Sequence, residues 1–119
     1  MLAPMIEDFK TQHDEARKMV GRMKELASSD KPDVNELRRV FMDFNDMMTA
    51  HAAREATVLF PAMEGTWSDK QLDALKEAQE KDEKRLLGED ADEKVYKMLA
   101  DIEAAAGIES VADFTRRLK

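Results

Sequence analysis

The chain contains no cysteine, which excludes disulfides and every thiolate metal site. Glycine and proline are scarce, four and three in 119 residues, and nowhere do apolar and polar residues alternate as they do in a half-buried strand. Nine methionines and an abundance of alanine, leucine, glutamate and lysine favour helix throughout. There is no basic cluster: 19 Lys and Arg face 26 Asp and Glu, a net charge of −7. Such a chain is a poor binder of nucleic acid and poorly suited to anionic membranes. No apolar run approaches the roughly 20 residues of a membrane span. The opening Met1-Leu2-Ala3-Pro4-Met5 lacks the charged and then apolar succession of a secretory signal, so the expected location is the cytoplasm. The length suits a single all-α domain over 1–119, large enough to need no staples.

Helical spacing then divides the chain. Pro4 suits a first turn, and Ile6, Phe9, His13, Ala16, Val20, Met23 and Ala27 form one apolar stripe. A first helix is expected to end near Ala27, before the loop Ser28-Ser29-Asp30-Lys31-Pro32. Asp33 with Glu36 is a capping signature for a long second helix to about Glu64. Its stripe is Leu37, Phe41, Phe44, Met48, His51, Glu55, Val58 and Ala62, and Pro61 is expected to bend or weaken the last turn. Ser68 with Gln71 opens a third helix to about Leu87, which Gly88 ends. A fourth, Ala91 to Ala106, is expected to bury Val95, Met98, Leu99 and Ile102, with Gly107 as its cap. The tail from Ile108 is expected to be partly helical and anchored by Val111 and Phe114. Residues 1–65 thus read as a helical hairpin and 66–119 as accessory helices.

Histidine is also scarce: His13 and His51 are the only two. His51 and Glu55 lie four apart, on one helical face that is otherwise apolar. A carboxylate in a core stripe is costly unless something neutralises it, and a metal ion would. The short loop makes the first two helices antiparallel neighbours. His13 and His51 lie about 15 and about 18 residues from it, roughly 22–27 Å at 1.5 Å per residue, so they fall at nearly the same level. His13, His51 and Glu55 are therefore the candidate metal ligands. Imidazole nitrogen with carboxylate oxygen suits iron, manganese or zinc, and helix bundles commonly build such sites in their interiors. The plainer alternatives are hydrogen-bonded core histidines, or a salt bridge from Glu55 to a protonated histidine or to Arg17. Bis-histidine heme ligation would leave Glu55 without a role. The methionines read as core filler, and the charged run Glu77–Arg85 as a solvated face.

These residues resemble the hemerythrin family in its bacterial cation-binding form. The resemblance rests on Gln12-His13-Asp14-Glu15 and on the run from His51 through Glu55 to Leu59-Phe60-Pro61, and more weakly on Leu87-Gly88-Glu89-Asp90 and Gly107-Ile108 to Phe114-Thr115. It implies a hemerythrin-like up-down four-helix bundle holding two non-heme irons, and dioxygen binding or sensing. The family repeats its ligands on a second hairpin. This chain carries the set once, and Lys84 stands where longer relatives tend to have a histidine. Three ligands cannot hold two irons. Either two hairpins pair in a homodimer, giving four histidines and two glutamates about a two-fold axis, or one chain uses all four helices with help from Glu80, Asp82 or Glu83. The dimer is favoured, because the fourth helix offers no ligand. Two competing functions remain beside dioxygen binding: peroxidase or oxidase chemistry at the same irons, and a metal-poor sensory or interaction module.

Overall fold

In the computed structural model, which describes residues 2–118, every regular element is helical among the described residues. The chain divides into two compact units, Met1–Trp67 and Ser68–Lys119.

The first unit is a helical hairpin. Helix α1, Leu2–Ala27, and helix α2, Val34–Arg54, are joined by the expected loop. Asp33 caps α2, its side chain accepting the Glu36 N–H at 3.0 Å. The Glu36 carboxylate does not reach back to complete a capping box. It pairs instead with Arg22 of α1 at 2.8 Å, fastening the hairpin near its loop. That hydrogen bond, followed by one that Arg22 donates to Glu25, holds the guanidinium above its ordinary pKa. Phe9, Gln12 and His13 meet His51, while Arg22 meets Glu36; rising numbers on α1 match falling numbers on α2, so the two run antiparallel.

Beyond Arg54 the long helix does not stay regular. Residues Glu55–Leu59 form one π-helical turn, closed by the Phe60 N–H on the Glu55 carbonyl, and helix α3, Phe60–Thr66, continues from it. Pro61, in the first turn of α3, has no N–H to return to the preceding turn. The irregularity expected at Pro61 is thus taken up in the turn before it. One residue is inserted into the ladder, as in other π-turns, and the buried stripe slips by one: Leu59 is 8% exposed and Val58 is 43% exposed. Elsewhere in the hairpin Phe9 and Leu26 are buried, whereas Ile6, Val20 and Phe41, all expected in the core, are exposed. A stripe of about 100° or more is wider than one neighbouring helix can cover.

The second unit begins with helix α4, Asp69–Leu87, whose capping box is complete: Ser68 N–H to the Gln71 side chain at 2.9 Å and Gln71 N–H to the Ser68 hydroxyl at 3.4 Å. Gly88, at φ +90°, ends it. Helix α5, Ala91–Ala106, closes with Gly107 in the left-handed region; Gly107 N–H bonds to Ala104 and Ile108 N–H to Glu103, the paired bonds of a Schellman cap. Helix α6, Val111–Arg117, follows, capped by Ser110. The expected burial of Val95, Met98, Leu99 and Ile102 is not found. All four are exposed, as are Val111 and Phe114, because α5 has α4 as its principal helical neighbour and covers only one narrow side. The buried residues of α5 are Ala91 and Glu103. The Glu103 carboxylate accepts the Val111 N–H at 3.1 Å, which satisfies a free donor and places negative charge at the positive end of α6.

Candidate metal centre

His51 is the most buried side chain described, at 1% exposure. It lies one turn before the π-turn, with the Phe9 ring 4.6 Å away at 51° and the His13 ring 4.7 Å away at 46°. The Phe9 face excludes water from one side of the imidazole. Helical spacing of four then carries Glu55 onto the same face, and α1 presents Gln12 and His13 from across the hairpin.

Three side-chain atoms converge on the His51 ring nitrogens. Its Nδ1 lies 2.8 Å from the Gln12 side-chain oxygen. A carboxamide oxygen only accepts, so this contact is a hydrogen bond in the tautomer that carries its hydrogen on Nδ1. Nε2 is then the lone-pair nitrogen, and it faces His13 Nε2 at 3.0 Å and Glu55 Oε1 at 3.0 Å. The three donor atoms lie within 4.8 Å of one another. A neutral imidazole lone pair aimed at a carboxylate at this distance is repulsive. A metal cation between the groups would relieve that repulsion. The donor set, two imidazole nitrogens and one carboxylate oxygen, fits a borderline divalent metal such as iron, manganese or zinc.

The three sequence-predicted residues are brought together. His51 is buried, Glu55 half-buried and His13 exposed, so the cluster is closed on the Phe9 side and open on the His13 side. Further along the hairpin an open groove of about 400 Å³ is lined mainly by Ala16, Val20, Phe44 and Met48. Arg17, an alternative partner for Glu55, is not used by it; it pairs with Asp14 at 2.8 Å on the exposed face. Glu80, Asp82 and Glu83 belong to α4 in the second unit and are exposed, Asp82 pairing with Arg85 and Lys84 with Glu89. Sequence reading missed Gln12 as the partner of His51. The available signal was its place beside His13, which sets it on the edge of α1 that turns toward α2.

Comparison with known proteins agrees with this geometry. Residues 4–119 match the hemerythrin HHE cation binding domain. Uncharacterized proteins of Mycobacterium tuberculosis strain H37Rv and of Mycobacterium bovis are each 32% identical over 111 residues, which is 90% of this chain and 44% of theirs. The chain thus spans less than half the length of these curated relatives. No solved structure matches it.

Proposed function

This chain belongs to the hemerythrin HHE cation-binding family, and from that premise we propose that it is a non-heme iron protein that binds or senses dioxygen or a related small oxidant. His13, His51 and Glu55 are its ligands. The observation that carries the reading is the convergence of two imidazole nitrogens and a carboxylate oxygen within 4.8 Å. Iron held by these residues would supply reversible one-electron chemistry toward a small oxidant.

The remaining roles belong to the chain. Glu55 would balance the charge of a bound cation. His13 and His51 donate neutral nitrogen. Phe9 keeps water from the buried side of His51, which slows exchange of whatever binds there. No histidine follows His51, so three ligands form half of a two-iron set. The second half comes from another copy: two hairpins meeting about a two-fold axis place four histidines and two glutamates together. The exposure of His13 supports this, because that ligand stands at the open side of the cluster. Iron stoichiometry measured together with solution mass tests the reading. About one iron per chain in a dimer is expected. A metal-free protein, or a monomer with a full complement of two irons, refutes the shared centre.

A further inference from the structure

We propose that Gln12 is a positioning residue that decides which His51 nitrogen is free for metal. The inference rests on the metal-site reading above and adds a residue to it. Two hydrogen-bond acceptors compete for the single ring hydrogen of neutral His51. Gln12 Oε1 lies 2.8 Å from Nδ1, and Glu55 Oε1 lies 3.0 Å from Nε2. If Glu55 wins, the hydrogen sits on Nε2 and blocks the lone pair that a cation at the cluster must use. If Gln12 wins, Nε2 is bare and directed between His13 and Glu55. In the absence of Gln12 the negatively charged acceptor holds the advantage, since charge-assisted hydrogen bonds are the stronger kind. Gln12 opposes that bias from the other side of the ring.

The surroundings leave this task to Gln12. Phe9 and His13 flank the His51 ring but offer nothing to Nδ1, and Gln12 is its one polar partner among the described residues. Helix α1 fixes the amide: Gln12 is half-buried in the middle of a 26-residue helix. An acceptor on the remote nitrogen also raises the basicity of a ligating imidazole, and loss of such a partner typically lowers metal affinity.

The test uses the full chain, uniformly labelled with ¹⁵N, and zinc as the probe, so that no oxidant chemistry enters. In the metal-free protein the His51 ring nitrogens are expected to report hydrogen on Nδ1. Gln12→Ala is expected to shift His51 toward the Nε2–H form and to weaken zinc binding by about 10–100-fold. Gln12→Glu, which keeps an acceptor oxygen at the same reach, is expected to restore the Nδ1–H form and near wild-type zinc affinity. Should Gln12→Ala fail to fold, the wild-type and Gln12→Glu spectra still decide the tautomer. Hydrogen on Nε2 in the wild type overturns the proposal, and so does Gln12→Ala with unchanged spectra and unchanged zinc affinity. His51→Ala separates the two levels: if it too binds zinc as the wild type does, the site assignment itself falls. If it loses zinc while Gln12→Ala does not, the role of Gln12 alone falls.

Discussion

His51 Nε2 and Glu55 Oε1 stand 3.0 Å apart across one helical turn, at the boundary where α2 gives way to the π-turn. With hydrogen held on Nδ1 by Gln12, a metal cation placed at that contact relieves the repulsion between lone pair and carboxylate, and its binding displaces any proton the ligand atoms hold.

Proton release is measurable directly. Adding a divalent metal to weakly buffered metal-free protein is expected to acidify the solution, and metal affinity is expected to fall as pH is lowered, because ligands must be deprotonated to bind. Binding confined to the folded state also raises stability, by about 2.7 kcal/mol at a free metal concentration 100 times the Kd. Thermal unfolding with and without chelator reads this. A melting temperature indifferent to chelator, in protein shown to carry metal, would contradict ligation by the folded hairpin.

Removal of a ligand separates binding from folding. His51→Ala is expected to abolish iron loading while far-ultraviolet circular dichroism stays helical, since alanine is the best helix former. His13→Ala, at an exposed position, is expected to lose iron with little change in the stability of the metal-free chain. Iron analysis of the purified variants checks both.

Phe9→Ala probes the closed side of the cluster. Phe9 is 5% exposed and lies against the His51 ring. Its loss is expected to cost about 3 kcal/mol, the lower end for a buried phenylalanine, and to let water reach the imidazole. Urea unfolding gives the first quantity, and faster metal exchange under chelator gives the second.

Asp33→Ala serves as the structural control. Loss of the cap on α2 is expected to cost about 1 kcal/mol with iron content unchanged, because Asp33 lies at the loop end of the hairpin, away from the cluster. Loss of iron in this variant, with the helix still formed, would show that the site depends on more than its local turn.

Much of the hairpin was legible in the sequence because helical spacing and caps are local signals. The end of α1 at Ala27, the Asp33 cap, the Ser68–Gln71 capping box and the Gly107 cap all follow from neighbours a few residues apart. The level match of His13 and His51 followed from counting residues to a short loop, and the two nitrogens do meet. What spacing could not supply was the choice among positions on a stripe. Leu59 rather than Val58, and Leu26 rather than Ala27, are buried, since one inserted residue or a small rotation changes the winner. The apolar residues of α5 read as core, because a stripe announces its wish for cover and not the cover it finds. Gln12 and Glu103 went unseen for another reason. Each is a polar side chain whose meaning depends on a single partner from another element: His51 Nδ1 and the Val111 N–H.

The π-turn at Glu55–Leu59 has a consequence for how the two ends of this long helix answer to different demands. It holds one residue more than the same length of α-helix requires. Residues before it are indexed to the metal donors, and residues after it to the seat of Leu59. The turn acts as a clutch between them. Deleting one residue from 56–58 would restore a regular ladder in which Leu59 takes the place that unbroken spacing gives to position 58, so Leu59 keeps its seat while His51 and Glu55 stay where they are.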